Sequence, residues 1–221
     1  AFAAVFASVL WQMLGDHYRC RSFADLTLEL SRRRSFPFWQ AMAEMLHGSC
    51  LVHGGDHQAG IAAMRHGMGY WESTGLRLAM PYFRAQLAEG CMMAGLYDEG
   101  LAAAREATRT SNETGEVWWL PEQLRIEAEL LALRADTASE AEGCLYRALD
   151  LAAAQGSPAL GLRALLTLGR HLRDRGRAAQ GYTEYARRLA ALSPTLQPGA
   201  TREAEALFAE LCTQAQAATR H

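Results

Sequence analysis

Four histidines, His47, His53, His57 and His66, lie close together in the chain, and histidine is the side chain most often used to hold zinc. Their spacing does not complete a ligand set. His53 and His57 flank a turn rather than sharing a helix face, and no second cysteine or carboxylate pattern accompanies them. Solvent-facing or structurally bonded histidines are the simpler expectation, so we assign no metal site. Trp39, Trp71, Trp118 and Trp119 could enclose a small molecule, or could serve as knobs between packed helices. No nucleophile stands beside a base: serines and cysteines are scattered through helical stretches, with no strand-to-helix elbow. There is no Gly-x-x-x-x-Gly-Lys phosphate loop, and Asp98-Glu99 reads as turn sequence. The residues imply no cofactor and no catalytic group.

What must position these side chains is a repeat of about 40 residues, and repeats on this scale decide the whole fold. Small residues recur at Gly60, Gly100, Ala141 and Gly181, most of them preceded by a glycine turn and a polar pair and each opening an amphipathic stretch. Pro37, Pro81, Pro121 and Pro158 fall near helix starts, where a missing N–H costs little. Gly75, Gly115 and Gly156 close helices in the position that favours a left-handed residue. Apolar residues at three- and four-residue spacing predict helices near 2–14, 21–33, 38–53, 57–73, 79–94, 97–112, 118–134, 138–154, 159–175, 178–192 and 200–218. No segment has the two-residue period of a strand. The expected fold is all-α: about five helical hairpins over 1–192 in a right-handed superhelical solenoid, a linker at 193–199, and a C-terminal capping helix within 200–221. The first helix of each pair is the more aromatic, and the second is the richer in alanine.

Half of the 221 residues are hydrophobic, enough for a continuous core, and a net charge of −2 gives no field to recruit nucleic acid or an anionic membrane. Every basic residue other than histidine is arginine, which fits arginine-rich codon usage or selection for bidentate anion contacts. Arg32-Arg33-Arg34 ends a helix, where positive charge suits the helix dipole. Cys20, Cys50, Cys91, Cys144 and Cys212 are dispersed and odd in number, which argues for a reducing, cytoplasmic setting without a disulfide framework. No window is apolar enough to span a membrane. The segment Ala1–Leu14 is apolar nearly all round and lacks the basic start of a signal peptide. A helix of that kind is normally covered on more than one side, so we expect the chain to be part of a longer protein with an upstream repeat or domain.

The frame Leu168-Gly169, Gly176, Gly181 and Tyr185 resembles a tetratricopeptide motif, and Gly95-Leu96-Tyr97-Asp98-Glu99-Gly100-Leu101 fits the same frame at a longer period. The succession Phe36-Pro37-Phe38-Trp39, Gly60-Ile61, Pro81-Tyr82-Phe83, Leu87-Ala88-Glu89, Gly100-Leu101, Thr114-Gly115-Glu116, Trp119 and Glu127 to Leu131 resembles the tetratricopeptide-like repeat region of bacterial multidomain signalling ATPases. Those proteins carry an ATPase module, often preceded by a nucleotide-cyclase or winged-helix DNA-binding domain. The resemblance implies a regulatory, interaction or ligand-sensing role with any catalytic machinery outside this chain. It also implies a concave wall lined by the first helix of each hairpin. Mapped onto this sequence, that wall carries Tyr82 and Glu89, then Glu122, Arg125 and Glu129, then Arg163, Arg170 and Arg173. The expected function is to bind a peptide or partner domain there, or alternatively to sense a small molecule between aromatic first helices. Self-association through an uncovered solenoid end is a further expectation.

Overall fold

The computed structural model describes residues 1–192, 196 and 201–218. Its described residues form eleven α-helices and no strand. They are α1 (Phe2–Met13), α2 (His17–Arg34), α3 (Pro37–His53), α4 (His57–Ser73), α5 (Met80–Met93), α6 (Tyr97–Thr114), α7 (Leu120–Ala132), α8 (Ala138–Ala154), α9 (Pro158–Asp174), α10 (Ala178–Leu192) and α11 (Arg202–Ala218).

The helix starts and stops follow local chemistry. Pro37, Pro81, Pro121 and Pro158 sit in the first turn of α3, α5, α7 and α9, where their fixed φ fits and no N–H is missed. Gly15, Gly55, Gly75, Gly95, Gly115, Gly156 and Gly176 all have positive φ and recur at intervals of about twenty or forty residues. One boundary differs from expectation by more than two residues. α2 begins at His17 rather than near 21, because the Asp16 carboxylate accepts the Arg19 N–H at 2.9 Å and starts the helix early. Likewise α5 begins after Ala79, whose left-handed φ of 61° excludes it from the helix.

The chain divides into two compact units, Ala1–Glu116 and Val117–His221. In the first, α1–α2, α3–α4 and α5–α6 are three antiparallel hairpins, with first helices packed in the order α1, α3, α5. In the second, α7–α8 and α9–α10 are hairpins, and α11 packs on α9 and α10. The linker expected at 193–199 lies, apart from residue 196, outside the described residues. The first unit is filled by Cys20, Ala24, Met45, Leu46, Met64 and Phe83; the second by Leu124, Leu131, Leu145, Leu165, Leu168 and Tyr185. Each large side chain of this kind contributes roughly 1.5–3 kcal/mol by leaving water.

The second helices come close because small residues let them. At Gly60 of α4 an added Cβ would lie 2.5 Å from the Gly48 carbonyl oxygen and 2.8 Å from the Val52 nitrogen of α3. This glycine is a packing residue, and Gly181 of α10 packs in the same way, where an added Cβ would meet the Leu172 side chain of α9.

Candidate interaction surface

The first helices carry the polar side chains singled out in the sequence, and the two units use them differently. In the first unit Tyr82 is interior, with 2% of its surface exposed. Its hydroxyl donates to Gln12 Oε1 at 2.6 Å, the Gln12 amide donates to Gln86 Oε1, and Ser49 Oγ donates to the same oxygen at 3.3 Å. Gln12 comes from α1, Ser49 from α3, and Tyr82 and Gln86 from α5. The network therefore reaches from α1 to α5 across α3. Glu89 lies at its edge, 3.8 Å from His53 Nε2. His53 Nδ1 donates to the Ser49 carbonyl at 2.9 Å, and its ring stacks on His17 at 3.7 Å between centroids.

In the second unit Glu122, Arg125, Glu129 and Arg163 meet as an alternating row. Glu122 is 1% exposed and receives Arg125 through Nε at 2.9 Å and Nη2 at 2.7 Å. Arg163 of α9 reaches the same Glu122 oxygen at 2.6 Å. Arg125 Nη1 pairs with Glu129 at 2.6 Å, and Thr167 Oγ1 donates to Glu129 at 3.0 Å. Two acids and two bases cancel one another, which a row buried at its centre, at Arg125 and Glu122, requires. Its two ends are more open: the Glu129 and Arg163 side chains are 26% and 37% exposed.

Arg170 and Arg173 point elsewhere. Arg170 pairs with Glu203, and Arg173 with Asp174 at 2.9 Å and Glu210 at 3.2 Å. Glu203 and Glu210 belong to α11, so these two arginines clamp the terminal helix to α9. Tyr185 assists by donating to the Ala204 carbonyl at 3.2 Å.

The histidines take separate partners. His47 Nδ1 meets Asp25 at 2.7 Å and His66 Nδ1 meets Glu44 at 2.6 Å. Both pairs line an open groove of about 660 Å³ over α3, between α2 and α4. His57 opens α4. Among the described residues no group of three or more His, Cys, Asp and Glu is arranged to hold a metal. A second groove, about 530 Å³, lies between α4, α5 and α6, where Arg84 bridges Glu72 at 2.8 Å and Glu106 at 2.9 Å. Neighbouring Arg109, hydrogen-bonded to Glu106, and Arg84 hold that carboxyl below its ordinary range.

The aromatic residues form a continuous run of ring contacts in the first unit. Phe2 and Phe6 lie against Trp39, Trp39 against Phe38, Phe38 against Trp71, and Trp71 against Phe83. Trp71 Nε1 donates to the Leu78 carbonyl at 3.1 Å, so the rings are anchored knobs. Trp118 and Trp119 lie in the second unit, with centroids 5.7 Å apart. Four of the five cysteines are buried and all are free. Sequence reasoning missed Gln12, Ser49 and Gln86. Gln86 lies four residues from Tyr82, a spacing that marks a shared face and could have found it.

Stacked antiparallel hairpins with glycine punctuation define an all-α, tetratricopeptide-like helical repeat. Among solved structures the chain is similar to nearly identical TPR-like repeats from a kinesin light chain candidate of Podosopora anserina, with a TM-score of 0.57 and 12% identity, over 99% of this chain and 96% of that one. No family model matches the chain, and no curated protein matches it. No helix among the described residues is long and apolar enough to cross a membrane.

Proposed function

We propose that this chain is a non-catalytic interaction and regulatory domain that binds a peptide or partner domain on the wall formed by its first helices. The observation that carries the reading is the Glu122–Arg125–Glu129–Arg163 row. Its buried centre is fixed by mutual pairing, while its exposed ends offer a carboxylate at Glu129 and a guanidinium at Arg163 to a charged or backbone-polar ligand. The helical-repeat fold supports it, since such folds present extended surfaces. On the resemblance of its motifs, the domain belongs to a larger bacterial signalling or transcription-regulating ATPase of the cytoplasm, and no membrane or nucleic-acid contact is expected. Restraint of such an ATPase requires a ligand with different affinities for two arrangements.

Peptides selected from a random library on the whole chain provide the test. The selected peptide should bind about tenfold more weakly to Arg163→Gln and Glu129→Gln, each compared well below its own thermal midpoint, because removing one partner of a buried pair also lowers stability. Equal binding to both variants removes this row as the site. A phosphate-loop domain in the same open reading frame would support the ATPase context, and a frame without one would end it.

A further inference from the structure

We propose that Cys20 and Cys50 are a modification site, a facing pair of thiols that a small peroxide joins into a reversible disulfide, stapling the first hairpin to the second. The site is independent of the peptide-binding reading, which rests on residues of the second unit.

The register of α2 against α3 sets the two cysteines opposite each other. His17 of α2 stacks on His53 of α3 with ring centroids 3.7 Å apart, and Asp25 of α2 meets His47 Nδ1 of α3 at 2.7 Å. These two contacts make the helices antiparallel and lie on either side of the cysteines. His17 stands three residues before Cys20, and His53 three residues after Cys50. One step of three residues inward on each helix, nearly a full turn, therefore brings Cys20 onto Cys50. The two side chains share a buried seam, 0% and 4% exposed, and their thiols are hydrogen-bonded to each other. Ser8 of α1 closes the seam. Its Oγ lies 3.3 Å from Cys20 Sγ and donates to the Cys20 carbonyl at 2.8 Å.

The two sulfurs have different roles. The Cys50 thiol donates to Cys20 and holds the Cys20 thiol below its ordinary value; burial opposes this, and Ser8 assists. The same bond, with burial, pushes the Cys50 thiol up. Cys20 also lies near the start of α2, where the helix favours a thiolate, so it is the attacking sulfur. Its thiolate takes one peroxide oxygen: an S–O bond forms, the O–O bond breaks, and the departing hydroxide leaves as water with the proton that Cys20 gave up. The Cys50 sulfur then attacks the sulfenic acid at Cys20. The S–S bond forms, the S–O bond breaks, and hydroxide leaves as water with the Cys50 proton. The thiol pair loses two electrons, and one peroxide becomes two waters. A dithiol reductant reverses the bond by exchange. Bonding brings the sulfurs to about 2 Å, a closure that side-chain rotation supplies in helices already in contact. Cys91, packed among Val52, Ile61 and Met64 and pushed up to about 11 by burial, is the contrasting thiol.

Mass spectrometry of the whole chain, folded and reduced beforehand, tests the site. After treatment with hydrogen peroxide the chain should lose about 2 Da. Its digest should hold one cross-linked pair, Cys20 with Cys50, which dithiothreitol separates. In Cys50→Ser the reaction should stop at the sulfenic acid, so dimedone should label Cys20 at least tenfold more than in the unaltered chain. The bond restricts the unfolded chain, so the oxidised form should unfold at a higher temperature, and reductant should erase the gain. A folded chain whose thiols all survive peroxide overturns the proposal. So does a bond that joins another pair, or one that forms only above the thermal midpoint. A midpoint lowered by oxidation overturns the staple.

Discussion

Ser35 stands where the repeat elsewhere places glycine. It falls midway between Gly15 and Gly55, closes α2, and adopts the left-handed φ of 52° that the turn demands. An L-residue with a β-carbon is strained there, so Ser35→Gly should raise stability by about 0.5–1 kcal/mol, part of the relief being offset by a more flexible unfolded chain. Chemical denaturation measures it, and no gain would mean that Ser35 makes a compensating contact. The turn glycines were legible in the sequence because a positive φ leaves few choices of residue. The inward position of Tyr82 was not. α5 is apolar almost all round and buried along most of its length, so face-mapping alone does not tell its inner wall from its core. Gln12 was hidden for the converse reason, being with Ser8 one of two polar residues in a helix read as apolar nearly all round.

Among the elements, the α3–α4 hairpin is the most tightly joined, because backbone meets backbone at Gly48 and Gly60. Gly60→Ala should destabilise by on the order of 2 kcal/mol, since a carbonyl and an amide must move apart to admit the methyl group. Gly69→Ala in the same helix meets nothing within 4 Å and should stabilise by about 0.5–1 kcal/mol through helix propensity. Thermal unfolding of the two variants separates packing from propensity, and equal effects would deny the close approach. Element existence was readable from the proline and glycine marks, and most boundaries agree to within a residue or two. The exception at α2 arose because Asp16 acts as a cap four residues before the helical pattern becomes obvious. The role of Arg170 and Arg173 was beyond local reading, since their partners Glu203 and Glu210 lie 33 and 37 residues further along the chain.

At the scale of the folded chain, acid should act mainly through the second unit. Burial holds the His171 imidazole below its ordinary value of 6.5, with Arg175 and Arg177 adding repulsion and Glu142 opposing them. A base with a lowered folded pKa gives stability that is present above the unfolded value and lost as pH falls below it. The Glu184 carboxyl is held at about 2, first by its bond to Arg187 and then by Arg188, so its contribution fades from about 4.5 down to 2. Urea unfolding from pH 7.5 to 5.5 should therefore show declining stability, and His171→Leu should flatten that decline. An unchanged slope in the variant would assign the sensitivity to another group.

Repeat proteins ordinarily come apart brick by brick, because each brick answers only to its neighbour. The Gln12–Tyr82–Gln86 chain of bonds breaks that habit in the first unit by joining α1 to α5 over the head of α3. A force that lifts α1 therefore tugs on a helix two places away before the intervening hairpin has yielded. Three hairpins bound in this manner act as a single latch, which stays shut or gives way all at once.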